Sequence, residues 1–157
     1  MQQSTAFSTD PRDLSQPGRM AWVLGLAGLI PFVCLAALQW VSPPGWRMLA
    51  ASALLGYGAL IVSFLGGIHW GLAMRESPVP ARRLLWGITP SLLGWLAVLL
   101  ETPWGHTLLA LSLLCCLWVD QASYPGLGLR LWLPMRRLLT AVATFSLMAG
   151  AAGYWMA

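Results

Sequence analysis

The sequence predicts an all-α integral membrane bundle of five transmembrane helices, with its N-terminus inside and its C-terminus outside. Three observations predict it: an apolar composition, five apolar runs divided by Pro-, Gly- and charge-bearing breaks, and arginines gathered on alternate sides of those runs. Of 157 residues, 58% are hydrophobic and 9% charged, against roughly 25% charged in a soluble domain. Mean hydropathy is +0.69. Such a chain has too little polar surface to cover a soluble fold, so a bilayer has to solvate it.

Residues 1–19 are rich in Ser, Gln, Asp and Pro and read as a polar, flexible cytoplasmic tail. A cleavable signal peptide would place an apolar core nearer the start, and Asp10 and Asp13 argue against an organelle presequence. The transmembrane domain then occupies 20–157. Its first span, 20–41, is charge-free and long enough to cross about 30 Å at ~1.5 Å per residue. Pro31 should kink it. Ser42-Pro43-Pro44-Gly45 ends that run, and the second span, 48–74, is long enough to tilt or project. A polar turn with Pro78 and Pro80 leads to the third span, 84–100. The turn at Glu101-Thr102-Pro103 precedes a short fourth span, 104–121. A loop with Gly and Pro follows, and the fifth span covers 138–157.

Orientation comes from the arginines. All nine cations are Arg. One side collects Arg12, Arg19, Arg75, Arg82, Arg83, Arg130, Arg136 and Arg137, and the other only Arg47. In short loops this asymmetry puts the arginine-rich side in the cytoplasm. The tryptophans fit the same frame. Trp22, Trp86, Trp118 and Trp132 fall near the inner boundary, Trp40, Trp46, Trp104 and Trp155 near the outer one, and Trp95 is the mid-span exception.

The net charge of +4 carries no continuous basic face, so nucleic acid is not an expected partner. Cys34, Cys115 and Cys116 lie inside apolar runs and read as small packing residues, neither a disulfide framework nor part of a metal site.

The second span carries the densest pattern, Ser63 to Gly71. Ser63, Gly67 and Gly71 share a helix face at four-residue spacing, and with Gly66 they invite close helix packing. His69 should point into the bundle. It is either a neutral imidazole tying helices together or a ligand- or proton-handling group, because an ionisable residue in hydrocarbon is costly. It lies about 8 Å along the helix from Met74. Thr89, Pro90 and Ser91 of the third span, Asp120 at the end of the fourth, and Arg136 and Thr140 around the start of the fifth fall at a similar depth. Asp120 reads most simply as a helix-end carboxylate paired with Arg130, Arg136 or Arg137. Pro90 leaves the Trp86 carbonyl without its helical donor. The binding candidates are therefore His69, Trp70, Ser91, Asp120 and Arg136. His106 belongs to the opposite end, about 20 Å away by helix rise, which rules out the simplest haem held by two histidines.

The ordered set Leu24 to Phe32, Ser63 to Gly71, Pro90-Ser91-Leu92 with Trp95, Trp118 with Asp120, and Arg136 with Leu139-Thr140 resembles the family of small membrane proteins typified by mitochondrial transmembrane protein 69, which also has bacterial members. The resemblance covers residues 20 to 150 and implies a five-helix membrane domain without an assigned activity, so it carries over no catalytic residue. Its motif positions here would be Gly66, Gly67, His69, Trp70, Gly71, Pro90, Ser91, Asp120, Arg136 and Thr140. The short, acid-containing N-terminus favours a bacterial inner or plasma membrane over a mitochondrial inner membrane.

No nucleophile–base pair or metal constellation is legible, so an enzyme is the least favoured class, and no catalytic residue or cofactor is expected. The expected function is a non-enzymatic scaffold or assembly partner, with the bilayer as surroundings and a membrane protein or a second copy as partner. The alternative is a binder or carrier of a small amphipathic molecule, a lipid or quinone, at the polar zone around His69.

Overall fold

The computed structural model describes residues 16–100 and 103–155, and every regular element among them is helical. In chain order these are α1 (Arg19–Ala27), α2 (Ile30–Val41), α3 (Pro44–Ala73), α4 (Ala81–Leu100), α5 (Trp104–Ser123) and α6 (Leu133–Trp155). Two 3-10 turns, Pro125–Leu127 and Arg130–Trp132, bridge the last two helices. Arg12, most of the tail expected at 1–19, Glu101-Thr102 and the last two residues of the final span lie outside the described residues.

Among the described residues, four stretches are long and apolar enough to cross a membrane: Arg19–Val41, α3, α4 and α5. The 23 residues of α6 reach the needed length, about 34 Å. It is the most polar of the long helices, with Arg136 and Arg137 near its start and Thr140, Thr144 and Ser146 along it.

Helix starts sit earlier than hydropathy alone suggests. Pro44 and Pro134 occupy the first turns of α3 and α6, where a missing N–H costs nothing, so helix begins at 44 and 133 instead of 48 and 138. This takes Arg136 and Arg137 out of a loop and into a helix.

The first span breaks at Gly28-Leu29. Pro31 cannot donate to the Ala27 carbonyl, and Leu29 N–H turns back to Leu26 O at 3.0 Å. One residue on, the Gly28 carbonyl accepts the Tyr57 hydroxyl at 2.8 Å. The kink is thereby held from α3, and α1 leaves the axis of α2 to pack mainly on α6.

At the centre, α3 packs against α2, α4, α5 and α6. Leu54 and Val62 of α3 share the core with Phe32 of α2, Leu109 and Leu113 of α5 and Leu147 of α6. Between apolar helices in lipid, close approach at small residues replaces the hydrophobic drive. A Cβ on Gly66 would strike the Gly87 carbonyl, one on Gly87 the Trp70 ring, and one on Gly105 the Ala97 carbonyl. The close approach of α3 to α4 thus uses Gly66. Gly67 and Gly71 are exposed, and nothing lies within 4 Å of where their Cβ atoms would stand. Of the cysteines, Cys116 is buried while Cys34 and Cys115 are exposed, and all three are free.

Candidate ligand-binding site at the arginine-rich end

Three helices bring one ionisable residue each to a common point: His69 near the end of α3, Asp120 in the last turn of α5, and Arg136 near the start of α6. They are 3%, 3% and 7% exposed. His69 Nε2–H donates to Asp120 Oδ1 at 2.9 Å, which requires the proton on Nε2 while the carboxylate is ionised. Arg136 Nε–H donates to Oδ2 at 2.8 Å, and Nη2 lies 2.7 Å from the same oxygen, in ion-pair contact without hydrogen-bond alignment.

The helix macrodipoles do not explain this arrangement. A carboxylate at a helix C-terminus and a guanidinium at a helix N-terminus are each placed against the dipole, at about 0.3–1 kcal/mol apiece. Pairing across the two ends offsets that cost and lets both charges be buried together.

Aromatic rings close around the histidine. Trp86 of α4 meets it edge-on with ring centroids 6.4 Å apart, and Tyr124, just beyond α5, lies tilted at 6.4 Å. Burial and the Asp120 carboxylate push the Tyr124 hydroxyl up to about 12 against the opposing pull of Arg136, so it keeps its proton at neutral pH.

Beside the triad, where α1 diverges from α3, lies a cavity of about 550 Å³ bounded by α1, the Gly28 break, α2, α3, α5 and α6. Leu24, Phe32, Phe64, Ile68 and Leu139 are among its apolar walls, and its polar end is made by Arg136, Tyr124 and Thr140. Leu24 and Phe64 are 64% and 65% exposed, so the cavity opens sideways, away from the bundle axis. The Thr140 hydroxyl is buried and without a hydrogen-bond partner. Thr89, Thr107, Ser112, Ser123 and Ser146 each donate back to the carbonyl four residues earlier, the usual outlet for a helical hydroxyl. Thr140 does not, and neither does Thr144.

The sequence candidates therefore divide. His69, Asp120 and Arg136 come together, and of the three arginines weighed as partners for Asp120 it is Arg136 that pairs with it. Trp70 and Ser91 lie on the other side of α3, where they line a shallow groove of about 300 Å³ with Ser63, Gly67, Gly87 and Ile88. The Trp70 indole donates to Leu84 O at 2.8 Å, not to the Trp86 carbonyl that Pro90 frees. Tyr124 was not among the candidates. Its spacing of four from Asp120, which puts both on one helical face, was the available signal. His106 stands 14 residues before Asp120 on α5, about 21 Å along the helix. Among the described residues, no three of His, Cys, Asp and Glu gather so as to hold a metal ion.

The sequence matches the family described as "Protein of unknown function (DUF3429)" over residues 17–152. The chain belongs to that family. It is 38% identical over 148 residues to Transmembrane protein 69 of Xenopus tropicalis, a match covering 88% of this chain and 56% of that protein. It is 37% identical over 83 residues to Transmembrane protein 69 of Mus musculus, covering 50% of this chain and 33% of that one. The chain thus spans about half the length or less of these relatives in the matched regions. No solved structure matches it. Family membership and the four long apolar helices together make this a membrane protein. All three members of the triad, and Thr140 at the cavity end, lie within the matched region.

Proposed function

We propose that this family member spans its membrane five times, with the arginine-rich end in the cytoplasm, and binds one small amphipathic molecule, a lipid or quinone, beside the His69–Asp120–Arg136 triad. The observation that carries this reading is the cavity: apolar along its length, polar at one end, and open sideways to where lipid would be. Sites for small molecules have this form, a mostly apolar wall with a few placed polar groups, at ~300–1,000 Å³. The arginine asymmetry of eight to one supports an N-terminus inside a bacterial inner or plasma membrane, with the matrix side as the equivalent in a mitochondrion. The length of α6 supports a fifth crossing, which puts the C-terminus outside.

In this reading the triad is a rigid polar end-plate. It holds Arg136 in place through Asp120, which His69 in turn fixes, and it presents the guanidinium to the cavity. No bond-making step is assigned to it.

The test is native mass spectrometry of protein released gently from its membrane. A co-purifying amphipath should be present in the unaltered chain and depleted in Ala21→Trp, which fills the cavity from α1. Equal occupancy in both proteins would remove the cavity from the reading.

Association with a membrane partner or a second copy is the second reading, supported by the outward groove of Ser63, Gly67 and Trp70 on α3 with Gly87 and Ser91 on α4. Small residues and hydroxyls on a lipid-facing surface suit a docking helix. Crosslinking in native membranes followed by pull-down tests it, and recovery of this chain alone as a monomer would count against it.

A further inference from the structure

We propose that the cavity selects an anionic headgroup carried on a single hydrocarbon chain, with Arg136 as the residue that recognises the charge; this rests on the amphipath-binding reading above. Volume argues for one chain. A space of about 550 Å³ takes roughly 18 heavy atoms at ~30 Å³ each, the size of one long acyl chain.

Charge argues for an anion. Asp120 is fully engaged, one oxygen by His69 and the other by Arg136. Both Arg136 atoms that touch it crowd the same oxygen, and Nη2 has no aligned acceptor. A guanidinium carries five N–H donors in a fork that suits carboxylate and phosphate oxygens, so Arg136 retains donors for a second acceptor. Thr140 adds a buried hydroxyl without a partner at the same end of the cavity. Tyr124 adds a third polar group there.

The surroundings reinforce the sign. Arg19, Arg75, Arg82, Arg130 and Arg137 are exposed around this end of the bundle. The two carboxylates among the described residues here, Glu76 and Asp120, are already paired with Arg83 and Arg136. The field at the polar end of the cavity is therefore positive, and it attracts anionic heads and discriminates against neutral ones of equal length.

The head could be a fatty-acid carboxylate or the phosphate of a single-chain phospholipid, which share the same recognition chemistry. The experiment separates these sources and also separates failure of the inference from failure of the underlying reading. The intact chain is placed in nanodiscs of neutral phosphatidylcholine, and binding is titrated with oleate, 1-oleoyl lysophosphatidic acid, mono-oleoyl glycerol and decylubiquinone. At least one of the two anions should bind about tenfold or more tighter than either neutral probe. The tighter of the two names the source. Thr140→Val, isosteric and uncharged, should weaken the anion several-fold and leave mono-oleoyl glycerol within about twofold. Arg136→Lys, which retains the charge and loses the fork, should weaken the anion further. If a neutral probe binds as tightly as both anions, selection by charge is overturned while amphipath binding stands. If none of the four probes binds the unaltered chain, both fall together. Anion binding unchanged in both Thr140→Val and Arg136→Lys would overturn the assignment of the headgroup to this end of the cavity.

Discussion

His69 and His106 are both withdrawn from the surface, at 3% and 0% exposure, and they occupy opposite ends of the bundle. His69 is tied into an ion network between three helices, with a cavity beside that network. His106 has no aligned hydrogen bond at either ring nitrogen, although the Ala51 carbonyl bears on it from α3. Packing around it is tight: the neighbouring Gly105 has no room for a methyl group between the Ala97 carbonyl and Leu55. Farther along, Gly150 sits against Gln39 and Leu54, and the Trp40 indole donates to Ala149 O at 3.1 Å. One end is closed by small residues and the other is held apart by a kinked helix. The polar groups of the open end are arranged about a space; those of the closed end are buried in packing.

That contrast can be broken at several points, and the largest effect is expected at the triad. Arg136→Met leaves Asp120 buried without its cation and should cost about 3–5 kcal/mol. Unfolding in mixed micelles of rising SDS content, followed by tryptophan fluorescence, reads the loss. Adding Asp120→Leu to that variant should restore much of it, and a double variant no more stable than the single one would mean that the pair is not the source of the cost.

Next come the glycines. Gly105→Ala at the closed end should cost about 1–3 kcal/mol, since its Cβ meets backbone that cannot move away. Gly25→Ala beside the cavity meets only the ends of the Leu139 and Met135 side chains and should stay within about 0.5 kcal/mol. Equal penalties in the same SDS titration would erase the distinction between a closed and an open end.

The histidines themselves provide a smaller and more pointed comparison. His69→Leu deprives Asp120 of a donor and should cost about 1–3 kcal/mol. His106→Leu removes a buried ring that has no aligned bond to lose, so it should be neutral or stabilising by up to about 1 kcal/mol. The reverse order would show that His106 is the better satisfied of the two. Smallest of all, Gly67→Ala on the outward groove should change stability by less than about 0.5 kcal/mol. If that groove docks a partner, the same variant should reduce crosslinked species in native membranes.

Much of the helical plan was legible because it depends on local quantities: run length, Pro and Gly breaks, and apolar content. The kink in the first span could be read from Pro31, since a residue without an N–H must release a carbonyl. Its exact place could not, because Tyr57 of α3 captures the Gly28 carbonyl and no local rule names that donor. The arginine beside Asp120 was open among Arg130, Arg136 and Arg137 for the same reason. Two 3-10 turns and an early start at Leu133 rotate Arg136 inward while Arg137 remains exposed.

Reading residues in order was enough to show that the chain is helical and made for a membrane, that polar residues gather at one end, and that His69 and Asp120 belong to that gathering. These follow from composition, span length and depth along a helix of fixed rise. It took the packed helices to show that Trp70 and Ser91 face away from them, that Tyr124 and Thr140 join Arg136, and that a cavity lies alongside. Depth along a helix is a local property. Facing requires the rotation of each helix about its axis, and that is set by close approaches such as Gly66 to Gly87, between residues far apart in the chain.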